Sequence, residues 1–244
     1  MSGRAPYWLD PDDPQAPFPP VELALREPDG LLALGGDLAP ERLLRAYRRG
    51  IFPWYSAGQP ILWWSPDPRM VLRPSQLKIS RSLGKTLRKK RFEITLDKAF
   101  DAVMAGCAEP RADSDGTWIT PEMRRAYGQL HAAGYAHSVE AWHENQLVGG
   151  LYGVALGRVF FGESMFARVT DASKVAFAHL VRQLARRRFG LIDCQVHTGH
   201  LASLGAEPLA RAIFVRELDR LADSNPAPLA WQLDADLGLD GWRQ

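Results

Sequence analysis

The sequence is short of cysteine, long apolar runs and net charge, and each shortage removes a class of protein. Two cysteines, Cys107 and Cys194, lie 87 positions apart in a chain of 244 residues. That is no disulfide framework, and the spacing suits no metal site. No apolar stretch approaches the ~20 residues that cross a bilayer. The opening stretch Tyr7-Trp-Leu-Asp10-Pro-Asp-Asp-Pro14 lacks the apolar core of a signal peptide. A reduced, cytoplasmic protein is expected. A formal net charge of +2 says little about partners, so the distribution of charge has to. With 46% hydrophobic and 24% charged residues the composition is that of an ordinary globular protein. The length allows one large or two small domains.

What is present is most informative at Asp193-Cys-Gln195-Val-His197. The run from about residue 189 to 196 reads as a short buried strand, on which side chains alternate faces. Asp193, Gln195 and His197 then point one way, and Ile192, Cys194 and Val196 the other. Polar groups lined up on an otherwise apolar strand need partners, which points to a cleft. The alternative is that Asp193 caps the following helix, or pairs with an arginine and holds the strand.

Charge is concentrated between Lys78 and Arg91, where seven basic residues occur without an acid. After Ser80 as N-cap, Leu83 and Leu87 share one side of a helix, and Arg81, Lys85, Arg88 and Lys89 cluster on the other. Solvated faces normally mix signs, and this one does not, which fits a phosphate-backbone footprint. Upstream, residues 50–69 hold five aromatics and four prolines, a stiff segment expected to have little regular hydrogen bonding. It follows a helix opened by Pro40, carrying Leu43, Leu44 and Tyr47 on one face and ended by Gly50. Trp63 and Trp64 read as core, whereas an exposed Trp54 is suited to stack a base or cover an apolar ligand.

From residue 92 the pattern becomes regular. Phe92–Leu96 alternates as a strand, and Asp97 is expected to cap a helix carrying Phe100, Val103, Met104 and Cys107. Thr120-Pro121-Glu122 opens another with Met123, Ala126, Tyr127 and Leu130. Strands follow at 137–142, 147–156 and 158–166, turning at 143–146 and at Gly157. A helix over about 171–188 leads into the strand holding Asp193. This order predicts an α+β fold: a mixed, mainly antiparallel sheet flanked by helices, resembling the acyltransferase fold called GNAT. The expected division is a small proline- and aromatic-rich N-terminal domain at 1–68, a GNAT-like catalytic domain at 69–222 and a C-terminal tail at 223–244.

Seven motifs in order carry a more specific resemblance: Gly30-Leu-Leu-Ala-Leu-Gly-Gly-Asp37, Gly50-Ile-Phe-Pro-Trp54, Trp63-Trp-Ser-Pro-Asp-Pro-Arg69, Gly116-Thr-Trp-Ile-Thr120, His137-Ser-Val-Glu140, Gly162-Glu-Ser-Met-Phe166 and Asp193-Cys-Gln195. Together they resemble the bacterial leucyl/phenylalanyl-tRNA–protein transferase family from about Phe18 to Phe214. The resemblance implies transfer of Leu or Phe, with Met left open, from aminoacyl-tRNA to the α-amine of an N-terminal Arg or Lys. The product is an N-degron, a mark for proteolysis. The donor ester is already activated, so no cofactor, ATP or metal is expected, and no membrane partner. Consistent with that, Ala167-Arg-Val-Thr-Asp-Ala-Ser173 lacks the glycines that cradle a pyrophosphate.

The resemblance also implies roles. Asp193 is the expected base, with Gln195, far too weak a base itself, orienting the amine or relaying polarisation. Trp54, Trp118, Leu151, Phe160, Glu163 and Met165 are expected to bind the donor's aminoacyl-adenosine end. By alternation Glu163 and Met165 share a face and Phe160 lies on the other. Glu163 needs a partner in so apolar a strand, either an internal arginine or, by resemblance, the donor's α-ammonium. Leu151 and flexible, polarizable Met165 suit a pocket for two side-chain shapes. His197 and His200 lie near the site and read as structural. Cys194, facing away, is no nucleophile. His131, His137, His143 and His179 form no expected cluster. An acetyl-CoA-dependent acetyltransferase, an aminoacyl-tRNA-dependent cell-wall peptide transferase and a non-catalytic RNA-binding module remain as alternatives.

Overall fold

The computed structural model describes residues 5–110, 117–222, 231–237 and 242. Gly116 of the fourth motif, and the tail at 223–230, 238–241 and 243–244, lie outside the described residues.

The N-terminal part forms β1 (Tyr7–Leu9), β2 (Leu31–Gly35), α1 (Pro40–Arg48), β3 (Phe52–Pro53) and β4 (Leu62–Trp64). Its four strands run in the order β1-β2-β4-β3. The aromatic segment is therefore more regular than its prolines suggested: Phe52 and Pro53 pair with Trp64 and Trp63, and β4 pairs with β2. Short paired pieces between prolines leave no period-two signal to read. Trp63 is fully buried and donates its indole N–H to the Gly35 carbonyl at 2.9 Å. Pro40 starts α1, where its fixed φ and missing N–H do no harm, and Gly50 follows its end at φ +72°.

A seven-stranded sheet follows. It is built from β5 (Arg69–Leu72), α2 (Arg81–Arg88), β6 (Glu93–Leu96), α3 (Phe100–Ala108), α4 (Pro121–Ala132), β7 (Ala136–His143), β8 (Gln146–Leu156), β9 (Val159–Ala167), α5 (Ala172–Arg186), β10 (Leu191–Gln195), α6 (Gly199–Ser203), β11 (Glu207–Leu209) and α7 (Arg211–Leu221). The strand order is β11-β5-β10-β9-β8-β7-β6. Within this sheet only β9 and β10 pair in parallel among the described strands. The mixed, mainly antiparallel α+β sheet is as expected, with β5 and β11 added at one edge. Four and three residues long, these two were too short to read from periodicity.

Ser80 and Thr120 cap α2 and α4 by accepting from Leu83 N–H and Met123 N–H. Glu144 and Asn145 take positive φ in the 143–146 turn, the geometry that matches strand twist. Asp97 does not cap α3, which begins at Phe100. The Glu140 carboxylate accepts from Lys98 N–H and Ala99 N–H, while Asp97 turns back to Ser138 N–H and His137. Both acids serve the turn ahead of α3, which starts without a side-chain cap, and no sequence pattern shows that.

Two hydrophobic layers cover the sheet. One contains Phe161, Tyr152 and Val154 with α3, α4, α7 and the N-terminal residues Leu43, Tyr47 and Trp63. The other contains Phe160, Leu151 and Ile192 with α2 and α5. The N-terminal part thus has no core of its own; it completes the first layer. The tail covers part of the second. Trp231 stacks on His137 at 3.8 Å, Arg186 pairs with Asp234 and Asp236, and Trp242 lies under Arg182. Among the described residues no helix is long and apolar enough to cross a membrane.

Two irregularities position the site. Opposite Tyr152 and Gly153, β9 carries one extra residue, Glu163, between Gly162 and Ser164. Opposite Val71 and Met70, β10 carries Cys194 as an extra residue, and Gln195 follows at φ +61°. Each bulge breaks alternation. Met165 and Phe160 consequently share the face of Leu151 and Ala155, correcting the expected opposition of Met165 and Phe160, and Glu163 is freed from that face. The parallel β9–β10 pairing stops at Phe161–Asp193, although β9 continues to Ala167. Beyond that point the strands part.

Gly153 lets this crowding happen. A Cβ there would sit 2.2 Å from the Phe161 carbonyl oxygen and 2.6 Å from the Phe160 ring. Gly153→Ala is expected to cost about 3 kcal/mol by overpacking, measured by urea unfolding.

Candidate active site

Where β9 and β10 part, a cavity of about 560 Å³ opens. Trp54, Trp118, Leu151, Phe160, Glu163, Met165 and Gln195 all line it, drawn from five separate stretches of the chain. Phe177 from α5 and Leu201 from α6 close its apolar side. Ile192 and Cys194 line it as well, so the apolar face of β10 also looks into the cavity. Burial and the charge of Asp193 push the Cys194 thiol far up, which keeps it protonated and inert. Trp54 is 44% exposed at the rim, tilted against Trp64 at 5.7 Å, and Trp64 donates its indole N–H to the Trp54 carbonyl. The rim tryptophan is therefore held by its neighbour.

Asp193 lies behind the wall. It is fully buried, and its Oδ1 and Oδ2 accept from Arg69 Nε at 2.8 Å and Nη2 at 2.7 Å. Arg69 was not singled out from the sequence beyond its place in a motif. Its guanidinium lies between the rings of Phe52 and Phe214, 4.6 and 4.8 Å from their centroids, and donates to the Gly50 carbonyl. Of the two readings open for Asp193, the arginine partner is present. A carboxylate held at both oxygens and shut off from solvent is poorly placed to take a substrate proton. What it does hold is Gln195: Asp193 Oδ1 also accepts the Gln195 N–H at 2.8 Å, pinning the backbone at its positive φ.

Gln195 passes the constraint on. Its Nε2 donates to Glu163 Oε1 at 2.8 Å, and Tyr127 O–H donates to Oε2 at 3.0 Å. No arginine pairs with Glu163 among the described residues; its partners are neutral. Burial pushes the Glu163 carboxyl up to about 7, opposed by hydrogen bonds from Tyr47 and Tyr127. Burial likewise raises the phenols of Tyr47, Tyr127 and Tyr152 well above their ordinary value, so they stay protonated. Tyr127 had been legible only as one more residue of an apolar helix face.

His197 lies beyond the end of β10 and is exposed. His200 lines the cavity, and burial with nearby Lys174 lowers its pKa, favouring the neutral ring. His131 and His137 do meet, contrary to expectation, at Asp97, with ligand atoms within 4.8 Å of one another. Each is already committed: His131 Nδ1 to the Ala136 carbonyl and His137 Nδ1 to Asp97, both at 2.8 Å. The arrangement ties the β6–α3 turn onto β7.

Arg81, Lys85, Arg88 and Lys89 are exposed on α2, while Leu83 and Leu87 are buried beneath them. Thr86 on the same helix donates to Asp171, the residue before α5. Ser173 and Phe177 of α5 line the cavity, so α2 is tied to a helix that borders it. Arg186 and Arg187, at the far end of α5, are engaged by the tail at Asp236 and the Gln232 carbonyl.

Comparison with known proteins gives consistent matches. Two parts of one family match in order: the leucyl/phenylalanyl-tRNA protein transferase N-terminal domain over residues 36–67, and leucyl/phenylalanyl-tRNA protein transferase over residues 71–219. A leucyl/phenylalanyl-tRNA–protein transferase from an Azoarcus species is 63% identical over 88% of this chain and 91% of its own. One from Nitrosospira multiformis is 59% identical over 93% of this chain and 97% of its own. Among solved structures, a GCN5-related N-acetyltransferase from Kribbella flavida aligns with TM-score 0.36 and 13% identity, over 66% of this chain and 57% of that one.

The buried ion pair makes a sharp energetic claim. Arg69→Met strands the Asp193 charge and is expected to cost about 3–5 kcal/mol, whereas Arg69→Met with Asp193→Leu costs much less than the two changes summed. A denaturant double-mutant cycle reads the coupling.

Proposed function

The chain belongs to the leucyl/phenylalanyl-tRNA–protein transferase family, and on that premise we propose that its cavity binds the aminoacyl end of leucyl- or phenylalanyl-tRNA for transfer to the N-terminal Arg or Lys of a protein. The observation that carries this reading is the convergence of Trp54, Trp118, Leu151, Phe160, Glu163, Met165 and Gln195 on one cavity. Leu151, Met165 and Phe160 form an apolar socket for a leucyl or phenylalanyl side chain, and a methionyl group is compatible with the same surface. Trp54 at the rim offers a ring face to the terminal adenine. Glu163, at the polar end of the socket, faces the donor's α-ammonium, which orients the ester carbonyl.

The chemistry is aminolysis of an activated ester. An α-amine with a pKa of about 7.7–8 is partly neutral near neutrality, so the site must chiefly place it. Gln195 is the group that orients the attacking nitrogen, and Asp193 is its positioning residue, acting through the pinned backbone. The amine nitrogen bonds to the ester carbonyl carbon, the C–O bond to the ribose breaks, and the ribose oxygen leaves with a proton. The ester supplies the driving force, so the step itself calls for neither ATP nor a metal. The exposed cations of α2 hold tRNA phosphates beside the cavity. The setting is the cytoplasm, where charged tRNA is found, and the product's new Leu or Phe N-terminus marks the protein for N-degron proteolysis.

Incubation with radiolabelled leucyl-tRNA and a protein beginning with Arg tests the reading. Label in acid-precipitable protein that survives ester hydrolysis is expected; its absence, with active tRNA, points to the acetyltransferase, cell-wall peptide transferase or RNA-binding alternatives. Gln195→Ala, and Asp193→Ala where it folds, are expected to lower transfer by about 10²-fold through misplacement, with leucyl-tRNA binding near wild type. Wild-type turnover in either variant would refute the assignment.

Lys85→Ala/Arg88→Ala is expected to weaken binding of both charged tRNAs equally and to lower the slope of log K against log salt by about 2. Transfer from phenylalanyl-adenosine, which lacks the tRNA body, should be unaffected. Loss of that activity would show the stripe to be structural.

A further inference from the structure

The Tyr47 and Tyr127 phenols are buried, belong to α1 and α4, 80 positions apart in sequence, and meet at the cavity carboxylate. Tyr127 O–H donates to Glu163 Oε2 at 3.0 Å. A phenol has one proton, so the hydroxyl contact between Tyr47 and Tyr127 must run with Tyr47 as donor. The result is a directed chain, Tyr47 to Tyr127 to Glu163, with Gln195 Nε2 donating to the other carboxylate oxygen. A hydrophobic core gains nothing by burying two phenols this way unless the acceptor at the end is a charge to be kept. We propose that Tyr47 and Tyr127 are positioning residues for transfer: their hydrogen-bond chain holds Glu163 as an oriented anion for the donor's α-ammonium.

The proposal rests on the reading of Glu163 given above and names what makes that reading workable. Burial alone disfavours the carboxylate, and the phenol hydrogen bonds act against it. Among the described residues the groups facing Glu163 from the elements around it are few. They are Tyr47 from α1, Tyr127 from α4, Tyr152 from β8, Asp193 and Gln195 from β10, and Arg69 from β5. Asp193 raises the Glu163 pKa and Arg69 lowers it, and the two are paired with each other, so their effects oppose. Among the described residues Tyr152 has no hydrogen-bond partner at its hydroxyl. That leaves the Tyr47–Tyr127 chain and Gln195 as the donors that favour the anion. Tyr47 comes from the N-terminal part, so the site needs both parts of the chain.

The test is the pH dependence of binding a phenylalanyl aminonucleoside, in which an amide replaces the reactive ester. Its ammonium must be charged and Glu163 ionised, so affinity is expected to fall as pH drops below about 7 and again as the ligand's own amine deprotonates. Losing one hydrogen bond to a charge shifts the acidic limb upward by about one pH unit. Tyr127→Phe is therefore expected to bind about tenfold more weakly on the acidic side, with affinity near wild type where Glu163 is fully ionised. Tyr47→Phe should shift the limb the same way. A limb that stays in place in both variants, whatever the overall affinity, overturns the proposal, because a merely structural role lowers affinity at every pH alike. Glu163→Gln separates the premise: it should weaken binding and remove the acidic limb. A limb intact in Glu163→Gln would refute the reading of Glu163 itself, and the proposal with it.

Discussion

The Arg69–Asp193 pair joins three parts of the chain that are far apart in sequence. The guanidinium comes from β5 of the large sheet, lies between Phe52 of the N-terminal part and Phe214 of α7, and grips the neighbouring β10 through two hydrogen bonds of 2.7–2.8 Å. A buried charge pair of this kind is costly to desolvate, and removing one partner leaves the other stranded. Its return is geometric. Asp193 fixes the Gln195 N–H, Gln195 fixes one oxygen of Glu163, and the tyrosines fix the other. The polar end of the cavity is one connected network with its anchor outside the cavity.

The network reaches substrate space because two neighbouring strands each carry one residue too many. Without the bulge at Glu163 the carboxylate would follow strict alternation, and without the one at Cys194 the Gln195 side chain would not meet it. The bulges stand next to the place where the parallel pairing ends, so backbone groups released from the ladder border the opening. A regular sheet would have sealed the gap. The departures from ideal geometry coincide with the site, as expected where strain serves function.

Much of the architecture was legible. Capping residues such as Ser80 and Thr120, the terminator Gly50 and the 143–146 turn act locally, and their neighbours in sequence are their neighbours in space. The cavity residues were legible by resemblance, as types in ordered motifs. What could not be read depends on tertiary pairing. Arg69 was one arginine after a run of prolines until Asp193, 124 positions away, gave it a partner. Tyr127 and Tyr47 sat at helical spacing among apolar residues and read as core, which they also are. The faces of Phe160 and Met165 were misassigned because a bulge is invisible to alternation. Asp97 turned away from α3 to Ser138 and His137, and His131 of α4 met His137 of β7, both through tertiary pairings.

The N-terminal part has its own sheet but lends Leu43, Tyr47 and Trp63 to a hydrophobic layer shared with Phe161 and Tyr127. Its helix α1 also supplies one hydroxyl of the chain that ends at Glu163. There is accordingly no seam along which this part could be exchanged for another during evolution while the acyl-transfer half kept working. The two segments are bound to change together: a substitution near Tyr47 is answerable to chemistry more than a hundred positions downstream, and recombination between distant relatives at the junction would break a core and a proton-donor chain in one event.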